Sequence, residues 1–135
     1  METPKKYLSW GDLEVAVERL AANIYNSGHG IAAITGMPRG GLIPAVMLSH
    51  KLKIPFTLTP NLADGKILVV DDICDTGKTL EKFKHEENII TVTIHYKQSS
   101  SYEPNFWYKL AEEGVWLVYP WENKNSDTIQ DYKVK

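Results

Sequence analysis

Apolar positions along this chain fall into two alternating rhythms. From Ser9 to Asn26, Leu13, Val17, Leu20, Ala21 and Ile24 recur on one face at helical spacing, with Ser9 placed as N-cap and Asp12 near the first turn. Ser27-Gly28-His29-Gly30 ends that helix, and the short apolar run Ile31–Thr35 predicts a buried strand. The loop Gly36-Met37-Pro38-Arg39-Gly40-Gly41 leads into a second helix over Leu42–Leu52, with Pro44 in its first turn, where a missing N–H costs little. Pro55–Thr59 is a weaker extended piece, and Thr59–Gly65 a short polar connection. Ile67-Leu68-Val69-Val70 is a continuous β-branched run, as expected of a strand buried on both faces. The pattern then predicts a helix over Gly77–Glu87, a strand over Asn88–Tyr96 and a serine-rich loop over Lys97–Asn105. Phe106–Glu113 fits neither rhythm clearly, and Val115–Tyr119 reads as a last strand stopped by Pro120.

Helices alternating with short apolar strands predict an α/β fold: an open, mostly parallel twisted sheet with helices on both faces. Ligands of such sheets bind at the carboxyl ends of the strands. The two glycine-bearing loops, after Thr35 and after Val70, both fall at such ends and are expected side by side. One domain over residues 1–122 accounts for the pattern, followed by a polar tail, 123–135, expected to be partly disordered.

Composition narrows the classes without naming one. A chain of 135 residues is long enough for a single core. A net charge of -2 and a pI near 6.1 provide no basic field for nucleic acid or an anionic membrane, so neither is an expected partner. The single cysteine, Cys74, excludes an intramolecular disulfide framework and favours a reducing compartment. With no apolar leader in METPKKYLSW and no apolar run of spanning length, the expected location is the cytoplasm.

The chemistry concentrates in Lys66–Leu80, KILVVDDICDTGKTL. Asp71 and Asp72 stand where the apolar strand should end, and Asp75-Thr76-Gly77-Lys78-Thr79 forms a turn of small residues leading into the expected helix. A nucleoside-triphosphate P-loop would need glycine five positions before Gly77, but Asp72 stands there and would face the phosphates it should cradle. A receiver domain carries its acid pair after the first strand, whereas this pair follows roughly half the chain. A sugar phosphate fits better. Vicinal carboxylates accept hydrogen bonds from ribose hydroxyls, directly or through Mg²⁺ and its waters, while loop N–H groups and the Thr76 and Thr79 hydroxyls hold a terminal phosphate. The bland reading is an acidic turn capping a helix. It suffices for either aspartate alone, but accounts poorly for strand, paired acids and small-residue loop together.

ILVVDDICDTGKT resembles the phosphoribosyl-pyrophosphate (PRPP) signature of type I phosphoribosyltransferases, and Thr35–Ala45 resembles that family's pyrophosphate loop with its Arg-Gly pair. Lys97, and Trp116-Leu117-Val118-Tyr119-Pro120-Trp121-Glu122, are similar to the base-binding lysine and closing segment of bacterial and archaeal xanthine-guanine (6-oxopurine) enzymes. The resemblance implies the type I fold with a reduced hood and Mg²⁺-dependent transfer of 5-phosphoribosyl from PRPP to a purine, in purine salvage. Asp71 and Asp72 would hold the ribose hydroxyls and the metal shell, with Glu122 as a second metal ligand. Asp75 would accept the purine's proton, and Thr76, Gly77, Lys78 (through its amide) and Thr79 would bind the 5-phosphate. Arg39 and Gly40 would meet the pyrophosphate. Lys97 would reach the 6-oxo group, Trp116 would stack on the base, and the Leu117 carbonyl would read its edge. Ordinary alternatives stand beside these: a solvated lysine at 97, and core aromatics at Trp116 and, preferably, at Trp121. Cys74 has no catalytic role in this scheme. Members usually form dimers or tetramers.

One family element is missing. Active members carry a long flexible hairpin before the PRPP strand that folds over the substrates, and the interval Phe56–Lys66 is too short for it. Two functions therefore stay open: a 6-oxopurine salvage enzyme, and a nucleotide- or PRPP-binding protein of the same fold with little turnover.

Overall fold

The computed structural model describes residues 3–122; the expected polar tail, 123–135, lies outside them. Helix α1 (Trp10–Ser27) starts at the expected cap. Asp12 N–H donates to Ser9 Oγ (3.0 Å) and Ser9 N–H to Asp12 Oδ2 (2.9 Å), satisfying two of the donors that a helix start leaves unpaired. Gly28 closes it in the left-handed region, φ 69°. Its buried face is Leu13, Ala16, Val17, Leu20, Ala21 and Ile24, the predicted stripe with Ala16 added. Helix α2 (Leu42–Leu52) has the predicted bounds.

The main sheet orders β2 (Ile31–Gly36), β3 (Lys66–Cys74), β4 (Ile89–Tyr96) and β5 (Phe106–Leu110), all parallel. Phe56 makes an isolated parallel bridge to Ile34, flanked by Ile34 N–H to Pro55 O (2.8 Å) and Thr57 N–H to Ile34 O (2.9 Å). The weak extended piece thus lies on the outer side of β2. The chain steps outward from β2 through α2, then returns to lay β3 on the other side. The direction of winding reverses between β2 and β3, the place where an open α/β sheet parts its loops and leaves a crevice.

The reversal also separates the covers. Leu68 and Val70 join α1, α2, Ile34, Val92 and Ile94 in one core cluster, whereas Ile67 and Val69 join Ala33, Cys74, Leu80 and Tyr96 in a second. Over the second face the expected helix at 77–87 is replaced by one 3₁₀ turn, Glu81–Phe83. Length explains it. Residues 75–88 must return from Cys74 to Ile89, against a strand of seven steps, about 23 Å. Residues 75–79 are taken by the loop, and an α-helix built from 80–88 would cover only about 13 Å. A looser path is required. Helical periodicity in KTLEKFKHEE is real, but its return distance is too long for it.

Two further differences concern the ends. β3 continues through both acids to Cys74, so Asp71 and Asp72 sit inside the strand rather than just after it. β6 (Trp116–Val118) leaves the main sheet and pairs in parallel with β1 (Lys5–Tyr7), a strand too short and too polar to announce itself. This two-stranded unit is docked by Leu117 and Tyr119 in the first core cluster, with Trp121 packed against it.

Candidate active site

The two expected loops do lie side by side. The loop after β2 is held by main chain: Met37 N–H donates to the Val70 carbonyl (2.8 Å), Gly41 N–H to Met37 O (2.8 Å) and Leu42 N–H to Arg39 O (3.1 Å). The Pro38–Arg39 peptide is cis. Both glycines are required by crowding. A Cβ on Gly40 would land on the Asp72 carboxylate, and one on Gly41 on the Val70 carbonyl. Gly40 therefore touches the acidic edge through its missing side chain, with Arg39 exposed beside it.

Along that edge, Asp72 N–H donates to Asp71 Oδ1 (2.9 Å) and Ile73 N–H to Asp72 Oδ1 (2.8 Å). Desolvation pushes the Asp72 carboxyl up to about 6, assisted by the charge of Glu122 and opposed by its hydrogen bonds from Asp71 and Ile73. Glu122 thus lies within electrostatic reach of Asp72, while its Oε1 accepts Tyr119 N–H at 2.8 Å. A divalent cation fits this edge on one observation, the excess of negative charge that already works against ionising Asp72. Among the described residues, no group of three or more His, Cys, Asp or Glu side chains is assembled as a protein metal cage. The edge suits a hydrated ion shared with a ligand.

Asp75 and Lys97 meet at the mouth. Lys97 Nζ is 2.9 Å from Asp75 Oδ1, with side chains 14% and 26% exposed. The Asp75–Thr79 loop is built differently from the first. Gly77 takes φ 93°, and Lys78 N–H donates to Thr76 Oγ1 (3.2 Å). Thr76 and Lys78 are exposed, Thr79 half-buried and Gly77 buried against Ser101 and Tyr102. The serine loop braces it: Ser100 Oγ donates to the Cys74 carbonyl (2.8 Å) and contacts the Asp75 carbonyl, while Ser101 N–H (2.9 Å) and Oγ (3.1 Å) reach the Thr76 carbonyl. Cys74 Sγ donates to the Tyr102 carbonyl (3.2 Å), and burial raises its thiol to about 11, so it stays protonated and inert.

Trp116 and Leu117 are held on the two-stranded sheet rather than on the main one. Trp116 N–H donates to Pro4 O (2.8 Å), and its indole Nε1 is buried with no hydrogen-bond partner. Leu117 is 8% exposed. Trp121 packs face to face on Tyr119, centroids 5.0 Å apart, as the core reading preferred. Sequence reasoning missed Ser100, Ser101, His95 and Tyr119. A histidine inside ITVTIHY was the one visible hint, since an apolar strand rarely keeps one without a buried partner. A cavity of about 560 Å³ lies away from the acids, on the second face, between Leu58–Asn61 and Lys82–Ile89, and touches the first loop at Met37 and Pro38.

Residues 57–128 match the phosphoribosyl transferase domain family, a span that contains the whole acidic edge and the Asp75–Thr79 loop. The chain belongs to this family. It is 30% identical over 146 residues to a xanthine-guanine phosphoribosyltransferase of Idiomarina loihiensis, covering 86% of each chain. It is 25% identical over 143 residues to that of Cereibacter sphaeroides, again covering 86% of each. A solved purine phosphoribosyltransferase from Pyrococcus horikoshii superposes with a TM-score of 0.75 at 30% identity, over 93% of this chain and 99% of the other. The Helicobacter pylori xanthine-guanine-hypoxanthine enzyme, at 20% identity and TM-score 0.76 over 89% and 93%, shares the phosphoribosyltransferase fold. The winding reversal between β2 and β3 thus lies in a chain of this family, with the loop after β3 wholly inside the matched span and the loop after β2 beside it.

Proposed function

We propose that this phosphoribosyltransferase moves the 5-phosphoribosyl group of PRPP to a ring nitrogen of a 6-oxopurine, yielding the nucleoside monophosphate and pyrophosphate. The observation that carries the reading is the Lys97–Asp75 pair at 2.9 Å beside the PRPP strand. In this reading Lys97 is a donor for a 6-oxo group and Asp75, beside it, an acceptor for the proton of a neighbouring imidazole nitrogen. In the reaction the new C–N bond forms at the anomeric carbon as its bond to the pyrophosphate oxygen breaks, and the ring proton passes to Asp75. The carbon carries oxocarbenium charge in between, so fixing the ribose between the loops matters more than nucleophile activation.

In this reading Asp71 and Asp72 bind the ribose hydroxyls, and the Thr76–Thr79 segment binds the 5-phosphate. For that, the Lys78 amide exchanges its bond to Thr76 Oγ1 for the ligand. Arg39 and Gly40 receive the pyrophosphate. Trp116 stacks on the purine, where an aromatic face contributes on the order of 1–3 kcal/mol, and the Leu117 carbonyl reads its edge. Asp71, Asp72 and Glu122 would hold Mg²⁺, whose chemistry is to neutralise the departing pyrophosphate. A cytoplasmic location and a homodimer or homotetramer complete the reading; no described helix is long and apolar enough to cross a membrane.

The test is nucleotide formation from PRPP, Mg²⁺ and each of guanine, hypoxanthine and xanthine, with adenine and orotate as controls. No product above background with any 6-oxopurine, from folded protein, defeats the proposal; preference for either control defeats the base assignment. A second reading, binding with little turnover, is favoured by one observation. The connection from Phe56 to β3 contains a single 3₁₀ turn, Pro60–Leu62, and no hairpin to cover the site. That reading predicts calorimetric binding of PRPP without turnover, lost in Asp71→Asn with Asp72→Asn.

A further inference from the structure

β3 outruns its neighbour β2. The Met37 N–H bond to the Val70 carbonyl, 2.8 Å, comes from the first residue beyond β2. Asp72 lies two residues beyond Val70, the last β3 residue paired with β2, so its carbonyl has no partner on that strand. A carbonyl left unpaired in such a place is costly. The Tyr119 hydroxyl takes the vacant side, donating to the Asp72 carbonyl at 3.2 Å, and its oxygen lies 2.9 Å from His95 Nδ1. A hydroxyl has one proton to give, so His95 must donate from Nδ1, which fixes its tautomer. Tyr119 is 3% exposed, and its own N–H donates to Glu122 Oε1.

The Asp72 carbonyl and the Ile73 N–H belong to one rigid peptide plane. Tyr119 holds the carbonyl end of that plane, and the Asp72 carboxylate takes the N–H end at 2.8 Å. We infer that Tyr119, oriented by His95, is a positioning residue of the phosphoribosyl site: its hydroxyl locks the Asp72 peptide plane, thereby aiming the Asp72 carboxylate and keeping it in register with the base-side strand β6. The ligand named here rests on the phosphoribosyl-transfer reading; the locked plane does not.

Tyr119→Phe keeps the ring and its stacking on Trp121 while removing the bond. In the ligand-free protein, amide exchange at Ile73 should quicken about tenfold while Val17 and Leu20 in α1 keep their rates. The KM for PRPP, or its Kd with Mg²⁺ by calorimetry, should rise about tenfold with the purine KM within about twofold. Unchanged exchange at Ile73, or an unchanged response to PRPP in a protein whose wild type binds it, overturns the proposal. If wild type ignores PRPP, the functional reading fails and the exchange rates alone decide the locked plane. Should the phenylalanine variant not fold, His95→Leu leaves the hydroxyl without its orienting donor. It should speed Ile73 exchange about threefold, and no change there overturns the proposal.

Discussion

The loops after β2 and β3 lie side by side and are made rigid in opposite ways. The first loop, Gly36–Gly41, is tied by its own main chain to β3 and runs straight into an α-helix. Its constraint is steric, because neither Gly40 nor Gly41 has room for a Cβ. The second loop, Asp75–Thr79, is followed by no α-helix and is propped by serine side chains from another loop. A loop held by main chain fails when atoms are added to it; one held by side chains fails when atoms are removed from its neighbours. The difference follows from the length of chain available after each loop.

That contrast can be broken most forcefully at Gly41. Gly41→Ala places a Cβ against the Val70 carbonyl and within 2.8 Å of Met37 N and O. It should cost about 3 kcal/mol in a urea titration; a cost below about 1 kcal/mol would show that the loop yields and is not sterically constrained.

The next effect is a pH dependence centred on β3 and β4, behind the second loop. Burial lowers His95 to about 4, so its neutral form is the folded one. The stability it contributes is complete above the unfolded value near 6.5 and is lost as pH falls from 6.5 toward 4. By pH 4.5 this amounts to about 2 kcal/mol. Asp72 acts in the opposite sense: its raised value, about 6, makes the folded state gain stability as pH falls from 6 toward 3.8. Wild type without metal should therefore vary little between pH 7 and 4.5. His95→Asn, which retains a donor for Tyr119, should hold its stability better on acidification by about 2 kcal/mol. Urea midpoints of both proteins at the two pH values check this.

Ser100→Ala with Ser101→Ala should cost about 1–2 kcal/mol and quicken amide exchange at Lys78, leaving Gly41 and Leu42 untouched. Equal quickening in both loops would erase the contrast. The smallest effect is at Ser99, whose hydroxyl reaches only the exposed Glu113 carboxylate (2.9 Å and 3.1 Å). Ser99→Ala should stay within about 0.5 kcal/mol of wild type, which confirms that bracing belongs to Ser100 and Ser101 rather than to serine content.

The chain announced α1 and α2 almost to the residue because their caps and stripes are local. Strands β2, β3 and β4 were legible as apolar runs, and from them the side-by-side loops could be anticipated before any coordinates. The helix over 77–87 was misread because its periodicity is local, whereas the distance it has to cover is set by the register of β3 against β4, a property of two strands together. β1 escaped for a related reason: three exposed residues become a strand only because β6 is there to pair with. At the site, the residues carrying charge or glycine were visible. Those acting on them, Ser100, Ser101, His95 and Tyr119, touch partners 24 to 47 positions away, and no spacing rule connects them.

The stretched return from Cys74 to Ile89 has one more consequence, for how this segment tolerates change in length. Residues 80–88 can accept added residues, which would only slacken the path toward the ordinary helical crossover. Deletions have less to draw on: nine residues fully extended reach about 30 Å against the roughly 23 Å to be crossed, so the turns there can give up about two. Losing three would pull β4 one step along β3, and because side chains alternate faces, Ile90, Val92 and Ile94 would turn away from the helices they now pack beneath. The segment's tolerance of length is lopsided: open to growth, and to shortening only by the few residues now spent in turns.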